Sequence, residues 1–173
     1  MKYTITMRWL HWVSALAVVG LLGVGFVLGY VDLPDGPGKD RLYNLHESFG
    51  VALWCLVVIR LLLRQISGVP VQPASMPRWM RLGSGLNHAA LYALLLLQPV
   101  AGLLANNAGG YGLELFNVLT VPNLVGKNDH LSDLLFKMHE IGGLALAGLV
   151  GLHVVAAAYH GVIRRDGVVS RMV

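Results

Sequence analysis

The chain has 173 residues, 55% of them hydrophobic and 13% charged, with a formal net charge of +4. A water-soluble domain carries about 25% charged residues, so this composition excludes an ordinary soluble fold. The small net charge gives no ground for nucleic-acid binding either, because it is the sum of two unequal sides of a membrane.

Four apolar runs follow in order. The first covers residues 9–30, behind Lys2 and Arg8. It is too long for the apolar core of a signal peptide and carries His11 at its start, so it reads as a retained span. A Gly/Pro-rich link leads to the second run, 46–66, which opens with "LHESFGV" and contains Cys55, Arg60 and Arg64. As the only cysteine, Cys55 implies no disulfide framework and reads as a small apolar filler. The link "SGVPVQPASMP" is expected to be irregular. The third run covers 84–105, with His88 at its start and Gly102 near its end. A long loop from Asn106 to Lys137 contains "YGLELFNVL" and "HLSDLLFKM", which are expected to form short helices lying over the mouth of the bundle. The fourth run, 136–163, opens with "MHEIGGL". Each run is near the roughly 20 residues that cross about 30 Å of hydrocarbon. None alternates as a barrel strand would, and lipid offers no partner to an open backbone. The fold class expected is an all-α integral membrane protein: a four-transmembrane-helix bundle forming a single domain over residues 1–173.

Four spans put both termini on one side. That side holds Lys2, Arg8, Arg60, Arg64, Arg78, Arg81, Arg164, Arg165 and Arg171, with the single acid Asp166. The other holds Lys39, Arg41, Lys127 and Lys137 against Asp32, Asp35, Asp40, Glu47, Glu114, Asp129, Asp133 and Glu140. The excess of bases predicts cytoplasmic termini, and a split of nine bases and one acid inside against four bases and eight acids outside.

Seven histidines are many for this length, and a histidine inside a membrane is costly unless it has a partner. His139 and His153 are 14 residues apart, which is about 3.9 turns, so they share a helix face about 21 Å apart along the axis. His46 enters the second span at the depth of His139, and His11 enters the first at the depth of His153. The four sort into two facing pairs, one per leaflet. Zinc would want four ligands, whereas only two histidines stand at each level. Haem iron needs two axial ligands, and its porphyrin is a large apolar plate. Two six-coordinate haems, ligated by His46 with His139 and by His11 with His153, would favour electron transfer across the bilayer over binding of a substrate at iron. Gly50, Gly142 and Gly143 near the outer pair would permit close approach at that depth, as would Gly25 and Gly102, each 14 residues after a histidine. Arg60 lies 14 residues after His46, at the inner level. A buried arginine needs an anion, so Arg60, with Arg64 and Arg8, is a candidate for haem propionates; the alternative is plain snorkelling at the positive edge.

His160, seven residues beyond His153, and His88 are candidates for contact with a quinone carbonyl and for carrying its proton, against structural or propionate roles. His130 reads as solvated. Glu47 and Glu140 each follow a candidate ligand by one residue and point away from it. They read as helix-terminal acids or partners of Arg41 and Lys137, with a docking rim for a donor as the alternative.

Taken together, "RWLHW", "NLHESFGV", "VVIRLLLR", "NHAALYALLLLQPVAGLL", "KMHEIGG" and "GLHVVAAAYH" resemble the bacterial cytochrome b-561 family, which is related to the cytochrome b subunits of nickel-iron hydrogenases. The resemblance covers nearly the whole chain. It implies a four-helix bundle of the bacterial inner membrane with two b-type haems, ligands at His46, His139, His11 and His153, and a ubiquinone site at His160. Some members act as superoxide oxidases, reducing ubiquinone with electrons from periplasmic superoxide through an electropositive outer funnel. This chain departs there, because its outer loops are acidic unless Lys39, Arg41, Lys127 and Lys137 cluster near the haem edge. The expectation is a quinone-linked oxidoreductase whose partners are membrane lipid, ubiquinone and a periplasmic donor, either superoxide or a redox protein. The alternatives are an anchor that relays electrons for a dehydrogenase or hydrogenase, and a non-redox membrane protein whose histidines bind metal or protons.

Overall fold

The computed structural model describes residues 2–71, 73 and 75–173. Four long helices dominate it: α1 (Ile5–Tyr30), α2 (Pro37–Ser67), α3 (Arg78–Ala108) and α4 (Asp129–Ala158). A π-helical turn (Tyr159–Arg164) continues α4, and a 3-10 turn (Val169–Arg171) closes the chain. Between α3 and α4 runs a short antiparallel hairpin of β1 (Leu113–Leu115) and β2 (Leu119–Val121), pairing Leu113 with Val121 and Leu115 with Leu119. All four helices are long and apolar enough to cross a membrane. Their flanks expose large apolar side chains, such as Leu16, Ile66 and Val155, over far more surface than water tolerates. This is an all-α membrane protein.

The helices extend past the apolar runs because polar caps, rather than hydropathy, set their ends. Thr4 caps α1 by accepting from the Met7 amide. Pro37 and Asp40 start α2 nine residues before His46, and Gly68 at φ 71 stops it. Asn128 caps α4 by accepting from the Leu131 amide, so "HLSDLLFKM" forms the first turns of α4 and not a separate helix. "YGLELFNVL" is also not helical. It forms most of the hairpin, reversing through Phe116 and Asn117 at φ 53 and 56. Phe116 is bulky for a left-handed backbone. It is held there by a bond from its amide to Ser48 Oγ (2.8 Å) and by edge contact with Phe49. The link after α2 is irregular as expected, with Gln72 and Ala74 outside the described residues.

Each helix packs on its neighbour in sequence, and α4 returns to touch α1 thinly, closing a square. Helices α2 and α4 stand on the diagonal. The core is a single apolar layer of Val18, Leu53, Val57, Leu95 and Leu146. Four of these lie seven residues, about two turns, after His11, His46, His88 and His139 respectively, and Leu146 is also seven before His153. The dry layer therefore sits midway between the two histidine levels. The N- and C-terminal segments and the α2–α3 link share one end, tied by Tyr3 N–H to Arg171 O, Trp12 Nε1 to Met172 O and Arg171 to Val71 O. The hairpin caps the other, where Asn44 donates to Glu114 O.

Candidate functional site

At the hairpin end, the rings of His46 and His139 face each other from α2 and α4 with centres 6.0 Å apart. At the terminal end, the rings of His11 and His153 meet from α1 and α4 at 6.2 Å. Two imidazoles that bind one metal atom from opposite sides, each through a bond of about 2 Å, have centres roughly 6 Å apart. Both pairs have that spacing. Among the described residues no group of three or more His, Cys, Asp or Glu side chains gathers as a metal cluster, so each level offers two imidazoles and little else.

Local structure holds these rings. Gly25 and Gly102 lie beside them: a Cβ on Gly25 would stand 3.1 Å from His46 Cε1, and one on Gly102 would stand 3.2 Å from both Cε1 and Nδ1 of His139. The two glycines permit the close approach expected of them, here by the imidazoles that rest against them. Gly50 and Gly143 meet nothing, and Gly142 lies under the Gln98 side chain. His139 Nδ1 donates to Gln98 O at 3.0 Å. That carbonyl is one turn before Gly102 and next to Pro99, which has no N–H to give to the helix. His46 Nδ1 is buried with no partner.

These observations fit a haem at each level: paired imidazoles at metal spacing at both, an orphaned ring nitrogen and little direct packing across the α2–α4 diagonal at the hairpin end, and only thin contact between α1 and α4. One feature resists. Arg60 Nη2 donates to His11 Nδ1 at 3.1 Å, which makes Nδ1 the acceptor. For His11 to bind a metal through Nε2, with its proton on Nδ1, Arg60 must leave it. Arg60 is 9% exposed, and its Nε is buried without a partner. The guanidinium is thus not satisfied by its present contacts, as expected of a residue that needs an anion. Arg60 and Arg64 both approach the Tyr92 ring, at 5.8 and 5.6 Å. Arg8 is half-buried.

His88 lies on α3 with its ring centre 5.3 Å from that of His153. Its Nδ1 donates to Ser84 O at 2.7 Å. It therefore stands at the terminal end beside the His11–His153 pair. His160 lies in the π-helical turn, a distortion common at functional sites. Its Nδ1 is 2.6 Å from Asp166 Oδ2, a partner that the sequence reading missed. Burial works to raise the Asp166 carboxyl, but bonds from His160, the Val168 amide and Arg164 outweigh it and leave its pKa below the ordinary carboxylate value. His130 is exposed in the first turn of α4.

Of the acids at the hairpin end, Glu140 joins Lys137 at 2.8 Å and accepts from Tyr30 OH at 2.9 Å, tying α1 to α4. Glu47 is half-buried. Lys39 pairs with Asp35 at 2.8 Å, holding that carboxyl below its usual pKa, and Lys127 lies 3.8 Å from Asp129. Three of the four cations at this end are thus matched with acids and form no positive cluster.

Residues 2–173 match the family described as Prokaryotic cytochrome b561. The chain is 29% identical over 171 residues to "Cytochrome b561 homolog 2" of Escherichia coli (strain K12), covering 99% of this chain and 90% of that protein. It is 26% identical to "Cytochrome b561 homolog 1" of the same organism, covering 99% and 96%. It is 24% identical over 172 residues to "Probable superoxide oxidase CybB" of Yersinia pestis, covering 99% and 95%.

Proposed function

Since the chain belongs to the prokaryotic cytochrome b561 family, whose members are membrane proteins with b-type haem, we propose that it holds two such haems and links a one-electron donor at the hairpin end to ubiquinone at the terminal end. The observation that carries this reading is the pair of cross-helix histidine contacts, 6.0 and 6.2 Å between ring centres, at opposite ends of one bundle. His46 and His139 are the ligands at the hairpin end, and His11 and His153 those at the terminal end. Haem held between these imidazoles would supply reversible one-electron transfer.

The chain's own residues do the rest. Gly25 and Gly102 seat the ligand rings. The layer of Val18, Leu53, Val57, Leu95 and Leu146 keeps water and protons out of the space between the two levels. Arg60, aided by Arg64 and Arg8, balances the propionates at the terminal end. His160, and less directly His88, face the quinone and handle its protons. The surplus of bases at the terminal end supports a cytoplasmic placement for that end and a bacterial inner-membrane location for the protein. The name of the Yersinia relative makes superoxide a candidate donor, and so a superoxide:ubiquinone oxidoreductase a candidate activity.

Haem quantification on purified, dithionite-reduced protein tests the reading. Two haems per chain are expected, and one per chain after His46→Ala or His139→Ala, with the second haem's spectrum intact. A single haem in the unaltered protein, or loss of both haems from each variant, refutes the paired-ligand assignment. Replacement of His160 is expected to lower quinone turnover with both haems retained.

A further inference from the structure

Asp166 is the single acid among the charges at the terminal end, and the fold takes unusual steps to place it. The π-helical turn carries His160 to the end of the span. Arg165 then adopts a left-handed backbone (φ 50) and Gly167 another positive φ (78), folding the chain back on itself. Asp166 returns beneath His160 with Oδ2 at 2.6 Å from Nδ1. The same oxygen receives Arg164 Nε at 3.1 Å, and Oδ1 receives the Val168 amide at 3.3 Å. Arg164 is fixed in turn by Met80 Sδ and Ser75 O, both at 3.2 Å. The side chains of Asp166 and His160 are only 7% and 13% exposed. A surface ion pair needs none of this scaffolding. A histidine held at Nδ1 by a buried carboxylate has its tautomer and ring orientation set, and its other nitrogen is the one left to exchange protons.

We propose that Asp166 is the positioning residue of a carboxylate–histidine proton relay, in which His160 Nε2 hands protons to the quinone oxygens at the terminal end. This rests on the reading above that a quinone binds beside His160. Reduction of one quinone consumes two electrons, delivered singly from the one-electron donor, and two protons. For each proton the Nε2–H bond breaks and an O–H bond forms on the quinone. The ring is left neutral, keeping its Nδ1–H bonded to the Asp166 carboxylate, and a proton from the aqueous side rebinds Nε2. The Asp166 charge stabilises the ring while it carries both protons.

The other charged groups nearby are engaged elsewhere or belong to the relay. Arg164 braces the carboxylate. Arg165 Nε bonds Val162 O, Arg81 of α3 bonds Met76 O, and Arg171 of the 3-10 turn bonds Val71 O. Met80 of α3 contacts Arg164, Val169 lies against Gly161, and the Tyr159 ring meets that of His160 edge-on.

The experiment compares Asp166→Asn, Asp166→Glu and His160→Gln in the full haem-loaded protein. Quinone-dependent reoxidation of the reduced protein is followed across pH, with haem content and spectrum recorded for each. Asn keeps an acceptor for Nδ1–H but removes the charge. The Asn variant is expected to be roughly tenfold slower at neutral pH, with the alkaline fall in rate moved toward acid. Glu is expected to restore most of the rate, and haem content to stay unchanged. An Asn variant with the parental profile overturns the relay. So does one that is slower at every pH without a shift and not rescued by Glu, and so does loss of haem in both Asp166 variants, since each marks a structural residue. Unaltered turnover in His160→Gln refutes the quinone-site reading instead, and the relay with it.

Discussion

Gly102→Ala and Gly25→Ala make a matched test of how the ligand candidates are seated, since each adds one methyl group beside one imidazole. The Gly25 methyl would meet a single close atom, His46 Cε1 at 3.1 Å, with Nδ1 and Nε2 at 3.8 and 4.0 Å. His46 Nδ1 has no partner, so the ring can yield a few tenths of an ångström at little cost. The gain in helix propensity of Ala over Gly, about 0.8–1.0 kcal/mol, then leaves the variant near neutral. The Gly102 methyl would meet two atoms of His139 at 3.2 Å. That ring is anchored by its 3.0 Å bond to Gln98 O, on the same helix as the glycine. Moving the ring strains or breaks a bond of about 0.5–1.5 kcal/mol, and leaving it in place overpacks the site by about 1–3 kcal/mol. With the ring held in place, the propensity gain leaves a net loss of up to roughly 2 kcal/mol, at most about a thirtyfold weaker hold on whatever His139 binds. Haem per chain and the thermal midpoint of the low-spin absorbance are the assays. Gly102→Ala should lower both for one of the two haems, while Gly25→Ala leaves them nearly unchanged. Equal damage from the two changes, or the reverse order, refutes the seating argument.

Two further outcomes are expected. His88→Ala should keep two haems per chain while altering the spectrum of one, whereas His11→Ala should drop the count to one. Loss of a haem from His88→Ala with none lost from His11→Ala would transfer the ligand role to α3. Ser48→Ala removes the acceptor of the Phe116 amide, which is strained at φ 53. It should loosen the hairpin by about 0.5–1.5 kcal/mol, seen as faster amide exchange at residues 113–121 with haem content unchanged.

The four paired histidines were legible because 14 residues come close to a whole number of helical turns, so sequence spacing converts directly into depth and face. The apolar layer seven residues from each level follows the same arithmetic. Lateral position was not legible. His88 and His11 share a depth, and only packing of α3 against α4 brings His88 within 5.3 Å of His153. Asp166 was hidden for a different reason. Its place beneath His160 depends on a π-helical turn and a left-handed arginine, neither of which has a periodic signal. The hairpin at 113–121 was misread as helical because its apolar content was taken for an amphipathic face. The clue in the sequence was Phe-Asn followed by β-branched residues. The helix starts at Pro37 and Asn128 also carried their signals, in caps rather than in hydropathy.

The charge of the donor can be decided without knowing its identity. The loops at the hairpin end carry four bases and eight acids. Lys39, Lys127 and Lys137 are each drawn to an acid, and Arg41 alone has no such partner among the described residues. Exposed pairs of this kind stabilise little, but they cancel the cations locally and leave the end acidic. Such a face repels an anion and attracts a basic protein, and the field is screened over about 10 Å at 0.1 M salt. If superoxide is the donor, its bimolecular rate should therefore rise as salt is added. If a basic redox protein is the donor, as an anchoring or relay role implies, the rate should fall with salt. Stopped-flow reduction of the oxidised protein over a range of ionic strength reads the sign directly. A superoxide rate that falls with salt would mean that the anion feels a positive field at its point of entry, in contradiction to the pairing of the lysines.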